Sequence, residues 1–495
     1  MRKGITIVLL ALSAAALLAG PVAALDLSPA DIDYVLDEEG EKIYIPQTYQ
    51  LESMIGDFGG ALNNPKDLFI DAEDNLYIAD TGNNRIVKLD ASWAVAGAYT
   101  GDSDKAFMEP TGIYVREDGQ IYVADYGNSR ISVMTPEGEH VRDYLQPESD
   151  LLGDLYEFRP SKVGVNAMND VYLIMGKNFM MLDEDGEFKG YIGAENVAFS
   201  FSDLIVRMFA SEAQREKLAR AEPPAYNNFT MGPSDRLYAV ALGQNNQIKV
   251  INSVGNNIYK SGEAYGEQSK GATGSWIIPA MLDPNFVDVA VDDRGIITAV
   301  DQISCKVYQY DTDCNLLTVF GGKGTVKGYF GVPTSLAMDS KGRVYVLDAS
   351  SNQIHVFRPT SFIEDVHEAI YLYNDGQYDK AQACWERIAG LNTGYPLAEQ
   401  SLGDIYFKQK KYPEAMARYR TIGNREDYTK AYGLWLHDLI AGKFLVVALS
   451  LIAGVILILF GIARFKRLAG YWCDDLFGIV DPEKRPRRKR KGRAG

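Results

Sequence analysis

Pro65-Lys-Asp-Leu-Phe-Ile-Asp-Ala-Glu-Asp-Asn-Leu-Tyr-Ile-Ala-Asp80 decides the fold, because the same frame returns as Pro110-Thr-Gly-Ile-Tyr-Val-Arg-Glu-Asp-Gly-Gln-Ile-Tyr-Val-Ala-Asp125 and as Pro333-Thr-Ser-Leu-Ala-Met-Asp-Ser-Lys-Gly-Arg-Val-Tyr-Val-Leu-Asp348. Looser copies begin at Pro160 and Pro284, and a degenerate one surrounds Arg236 to Val240. Within each copy, alternating apolar residues over four to six positions are separated by Asp, Asn and Gly, the pattern of short strands joined by tight turns. Two further strands follow each copy, so one unit reads as four strands, a to d. Such a unit cannot bury both of its faces alone, and stacking six of them around an axis solves that problem. The equivalent positions are taken as Tyr77, Tyr122, Tyr172, Tyr238, Ile297 and Tyr345.

Ring closure is legible as well. The sixth copy ends near Arg358-Pro359 without a strand d, whereas Tyr49-Gln-Leu-Glu-Ser-Met-Ile-Gly-Asp-Phe-Gly-Gly60 matches Leu316-Leu-Thr-Val-Phe-Gly-Gly322. The early strand is therefore expected to complete the last blade and to remove an open edge. These residues resemble the NHL-repeat family of six-bladed β-propellers over residues 42–359. The resemblance implies the fold. It does not imply one activity, because that family includes partner-binding, sensor and enzymatic propellers.

A helical insertion is expected over 199–221, stopped by Pro223-Pro224. Beyond the propeller a second period takes over: Tyr378, Ala381 and Trp385 return 34 residues later as Tyr412, Ala415 and Tyr419. With Leu402-Gly-Asp-Ile-Tyr406, this resembles tetratricopeptide repeats over 363–440. A closing helix is expected at about 427–440. The fold class is thus mainly β, a six-bladed propeller with a C-terminal α-helical stack and one transmembrane helix.

The span is Phe444 to Ala463, twenty residues without a charge. At about 1.5 Å per residue they cross the roughly 30 Å hydrocarbon core. Arg464, Lys466 and Arg467 follow at once, so the positive-inside rule places the tail, 464–495, in the cytoplasm. Residues 1–24 carry a basic start, an apolar stretch and Val22-Ala23-Ala24, the pattern of a secretory signal peptide. The body is then expected outside the cell, anchored by one membrane pass.

Charge narrows the partners. The chain carries −16 overall, yet 11 Lys/Arg against 4 Asp/Glu lie from Arg464 onward, leaving about −25 on the rest once Arg2 and Lys3 are set aside. Such a body repels phosphate backbones, which excludes nucleic acid as its partner. Cys305 and Cys314 bracket one expected strand, Lys306–Asp311, which holds them too far apart to pair.

Asp80, Asp125, Asp301 and Asp348 end four b strands, and six-bladed lactonases place metal-binding carboxylates around their channel. An acid at one fixed place in successive copies is more economically read as a turn former whose carboxylate accepts backbone N–H groups. Only four His are present, which argues against a His-built zinc site. No catalytic residue is singled out, and no cofactor is expected beyond calcium, which Asp, Asn and carbonyl oxygens could hold. Candidate binding residues fall in the b–c loops: Arg85, Tyr126, Arg130, Lys177, Asn178, Asn245, Gln302 and Asn352. Amide and aromatic groups there suit sugar hydroxyls or polypeptide. The function expected is non-enzymatic recognition or scaffolding at the cell surface, with a membrane protein or a carbohydrate as partner and a transport complex as its setting. The alternative is a metal-dependent, lactonase-like propeller hydrolase.

Overall fold

The computed structural model describes residues 33–37, 40–148, 157–192, 225–243, 246–260, 265–267, 283–391 and 394–477. The expected signal peptide, the 199–221 insertion, Asn245 and the tail after 477 lie outside them. A hairpin of β1 (Asp33–Leu36) and β2 (Lys42–Ile45) precedes β3 (Tyr49–Ile55). Blade one is β4 (Asp67–Ile70), β5 (Leu76–Asp80), β6 (Arg85–Leu89) and β7 (Val95–Tyr99). Blade two is β8 (Pro110–Val115), β9 (Ile121–Asp125), β10 (Arg130–Met134) and β11 (His140–Tyr144). Blade three is β12 (Pro160–Val165), β13 (Val171–Met175), β14 (Asn178–Leu182) and β15 (Phe188–Tyr191). Blade four has β16 (Tyr226–Gly232), β17 (Arg236–Ala241) and β18 (Ile248–Ile251) among the described residues. Blade five is β19 (Phe286–Val291), β20 (Ile297–Asp301), β21 (Lys306–Tyr310) and β22 (Leu316–Gly321), and blade six is β23 (Pro333–Met338), β24 (Val344–Asp348) and β25 (Gln353–Pro359).

The b strands show why single blades do not fold alone. Every residue of β5 is buried, and its two faces enter different clusters. Tyr77 and Ala79 pack with Ile113, Val115 and Val123 of blade two. Leu76 and Ile78 pack with Ala337, Tyr345 and Leu347 of blade six. Alternation at period two therefore writes two interfaces into one strand.

Ring closure follows the sequence reading: β3 lies antiparallel to β25, with Ile55 opposite Ile354, Met54 opposite His355 and Leu51 opposite Phe357. Two details differ. The fifth copy is framed from Phe286, which pairs with Asp301 as Pro110 pairs with Asp125. Thr298, not Ile297, thus holds the Tyr122 position, because Pro284 stands two residues ahead of the strand. The propeller also begins before residue 42. β1 pairs with β22 at Tyr34–Val319, so the blade-five sheet runs to six strands. Glu267 fixes the added hairpin: it accepts from the Tyr34 hydroxyl and pairs with Lys42 and Lys306, both at 3.0 Å.

Among the described residues six helices follow: α1 (Ser361–Asn374), α2 (Tyr378–Leu391), α3 (Pro396–Lys408), α4 (Tyr412–Thr421), α5 (Arg425–Gly442) and α6 (Phe444–Phe477). The chain divides into two compact units at Leu402–Gly403. In the first, Arg387 of α2 clamps Asp365 of α1 at 2.6 and 2.8 Å, and the Tyr395 hydroxyl donates to the Leu317 carbonyl at 3.0 Å. The repeated small residues are used as close contacts: Ala381 and Ala415 are fully buried, as are Trp385 and Tyr419. In the second unit, a Cβ on Gly403 would lie 2.4 Å from the Tyr419 ring, whose hydroxyl donates to Asp404 at 2.8 Å. Among the described residues, one helix is long and apolar enough to cross a membrane, with mean hydropathy 3.0 within 444–470.

His367 seats α1 on blade five, 3.2 Å from the Gln309 amide oxygen. Burial lowers its pKa to about 4, and the Arg294 charge adds to the shift. The unfolded imidazole titrates near 6.5, so between about pH 6.5 and 4 protons enter the unfolded chain first and stability falls. The full loss is on the order of 3 kcal/mol. The thermal midpoint of the native protein should therefore drop relative to His367→Gln as pH goes from 7 to 4.5. A difference that stays constant with pH would refute this.

Candidate functional site

The third residues of the repeat copies supply a buried network that joins four of the blades. Counted from Pro65, Pro110, Pro160, Tyr226, Phe286 and Pro333, these are Asp67, Gly112, Lys162, Asn228, Asp288 and Ser335. Apart from the glycine they are polar, and all five are buried. Lys162 Nζ lies 2.7 Å from both carboxylate oxygens of Asp67, which also accepts from the Ile113 backbone N–H at 2.8 Å. Ser335 Oγ donates to Asp288 at 2.6 Å and lies 3.2 Å from Asp67 Oδ1, while the Leu336 and Val289 N–H groups donate to Asp288 at 2.8 Å each.

Gly112 makes the lysine's path possible. Blade two stands between Lys162 of blade three and Asp67 of blade one, and a Cβ on Gly112 would meet Ser161 O at 2.7 Å and Lys162 Cα at 2.8 Å. Burial pushes the Asp288 carboxyl up to about 6. Lys162 opposes the rise and the Asp67 charge adds to it. Two carboxylates sharing one ammonium account for both directions.

Beside this ring a funnel of about 740 Å³ is lined by the a strands and the a–b turns. Lys162 and Asp288 contribute to its lining, Phe69, Tyr114, Phe229 and Met231 supply apolar wall, and Asp71, Glu117, Asp118, Asp235 and Asp293 add acids beside Arg116.

The ring does not fit a calcium centre. The Lys162 ammonium already takes both oxygens of Asp67 at 2.7 Å, and calcium takes six to eight oxygens and would have to displace it. Among the described residues, no group of three or more His, Cys, Asp or Glu side chains is placed to hold a metal ion.

The described b–c residues are placed elsewhere and do not converge with the ring. Arg85 Nε pairs with Asp80 at 2.7 Å, and buried Arg130 pairs with Asp125 at 2.8 Å and donates to Lys105 O at 2.7 Å. Asn352, in the left-handed region at φ 54°, accepts from the Asn64 N–H at 3.0 Å and so stitches blade six to blade one. Asn84 does the same for Glu109 in blade two at 2.8 Å. Gln302 Nε2 reaches the Pro333 carbonyl at 3.4 Å. Tyr126 lies under the Arg159 guanidinium, 5.5 Å from its ring centre. Lys177 is exposed, and Asn178 opens β14 opposite Met175. The b-strand acids act structurally: Asp80, Asp125, Asp301 and Asp348 accept from the N–H groups of Asn63, Met108, Asn285 and Val332 at 2.7–2.9 Å. The axial ring went unread because its residue type changes from copy to copy. That change, at a fixed place among constant apolar neighbours, was the available signal.

Comparison with known proteins places NHL repeats at 107–134 and 330–357. NHL repeat-containing protein 3 of Mus musculus is 26% identical over 144 residues, which cover 26% of this chain and 40% of that protein's length. Among solved structures, a streptogramin B lyase overlaps 67% of this chain and 87% of its own at 13% identity and TM-score 0.38. A gluconolactonase from Xanthomonas campestris overlaps 69% and 98% at 12% identity and the same TM-score.

Proposed function

We propose that this NHL-repeat propeller is a membrane-tethered recognition protein without enzymatic activity, which takes a partner protein or a carbohydrate into its funnel. The observation that carries the reading is the Lys162–Asp67–Ser335–Asp288 network. It commits the polar groups of the axis to one another, where a metal-dependent hydrolase would need open ligand positions. What the fold leaves available is the funnel, with aromatic wall and charged groups that suit hydroxyls or a polypeptide.

The tether is α6. Its uncharged twenty residues are followed by Arg464, Lys466 and Arg467, which favours a cytoplasmic C-terminus and an external propeller. The helices from α1 to α5, read as tetratricopeptide-like pairs, serve as a spacer or a second docking module. A transport complex in the same membrane is the setting we favour.

A photoreactive residue at Glu117, on the funnel, should crosslink to a discrete membrane partner in native membranes. The same residue at Val254, exposed on the β18 side of blade four, should not. Equal labelling from both positions would remove the funnel from the account. Calcium-dependent lactone hydrolysis by the same preparation would favour the hydrolase.

A further inference from the structure

We propose that the second half of α5, from Tyr432 to Gly442, lies in the headgroup layer of the membrane with its aromatic and aliphatic face toward the acyl chains; this rests on α6 being the span. Residues 428, 432, 435, 436, 439 and 440 are Tyr, Tyr, Trp, Leu, Leu and Ile, an unbroken i, i+4, i+7 stripe. Its first turn is used inside the protein: Tyr428 packs on the cluster of Ala415, Tyr419 and Ala431 between α4 and α5. But α4 has 10 residues and α5 has 18, so the stripe continues past its partner. Beyond that point Tyr432 and Leu439 are 42% exposed and Ile440 46%.

Chain length says what covers this face. Helix α5 ends at Gly442 and the uncharged run begins at Phe444, with a single non-helical residue, Lys443 (φ −114°, ψ 15°), between them. Ile440 is then about 6 Å, and Trp435 about 14 Å, of helical rise from the start of the span. The polar zone on each side of the hydrocarbon is roughly 5–7 Å thick, so Ile440 stays within it at any tilt, and Trp435 lies there when α5 runs along the surface. A surface helix keeps its stripe wet if it turns outward and buries it if it turns inward; burial is favourable for every apolar side chain on it. The side chains are of the type that settles there. The Tyr432 and Trp435 rings lie 5.7 Å apart, and such amphipathic rings concentrate at the headgroup level. Lys430, His437 and Asp438 occupy the opposite face with Leu434 and are solvent-exposed.

The test uses the full chain reconstituted into phosphatidylcholine vesicles, with tryptophan emission quenched either by bromine on the upper acyl chains or by aqueous iodide. Trp435→Phe should remove a component that bromolipid quenches and iodide does not. Returning a tryptophan one turn away, as Tyr432→Trp in the Trp435→Phe background, should restore it. The proposal is overturned if the lost component is quenched by iodide, or by neither agent, the second outcome meaning that protein covers the stripe. Alkaline carbonate extraction separates the two claims. Retention in the vesicles with an iodide-quenched Trp435 sinks this proposal and leaves the span standing, whereas release from the vesicles sinks both.

Discussion

Lys162→Met is expected to destabilise the propeller by about 3–5 kcal/mol, the cost of stranding a buried charge whose partner has been removed. The substitution keeps much of the side-chain volume, so the loss is electrostatic. It leaves Asp67 and Asp288 joined through Ser335 with no cation between them. For a domain this large the midpoint should fall on the order of 10 °C. The effect should shrink as pH falls below about 6, because the Asp288 carboxyl, raised by burial, takes up its proton in the folded state first and stability is regained. Adding Asp67→Asn to Lys162→Met should recover part of the loss, and the double-mutant cycle would give a coupling well above 1 kcal/mol. A single variant within 1 kcal/mol of the native protein would show that the ring is not a bonded unit.

Removing residues 33–56 should be more damaging still. The deletion takes away β3, the outer strand of blade six, together with the β1–β2 hairpin on blade five. It bares the ladder groups of β25 from Ile354 to Pro359, an unpaired edge that invites strand addition from other chains. It also opens the ring at the one place where the two ends of the propeller sequence meet. The truncated protein should aggregate, or unfold in more than one step with early protease cleavage in blade six. A single cooperative transition at the native midpoint would contradict the closure.

What the sequence made legible was whatever each blade must repeat. The frame from Pro65 to Asp80 recurs most closely in blades two and six, which share its leading proline and its buried acid at the end of strand b. The match of Tyr49–Gly60 to Leu316–Gly322 was readable for the same reason, since both are d strands. The β1–β2 hairpin was not readable. Its place depends on Tyr34 meeting Glu267 and Lys306, which lie 233 and 272 residues further along the chain and carry no local pattern. The candidate site inverted the sequence reading for a related reason. Asn352 and Asn84 look like free amides in a loop, but their left-handed backbone aims them at the next blade. Asp67, Lys162 and Asp288 look like unrelated surface charges until the ring brings positions 95 and 126 residues apart into one network.

Lys162, Asp67, Ser335 and Asp288 close the propeller axis with an internal ion network, so calcium should not stabilise the fold through it. The most direct measurement is the thermal midpoint of the full chain in saturating calcium and again after chelation. A site occupied at a hundred times its dissociation constant would add about 2.7 kcal/mol, a shift of several degrees. With the axis closed by the ion network, the midpoint should stay unchanged within about 1 °C, well under that shift. A rise of several degrees that the chelator reverses would contradict it and would return the axis to metal chemistry.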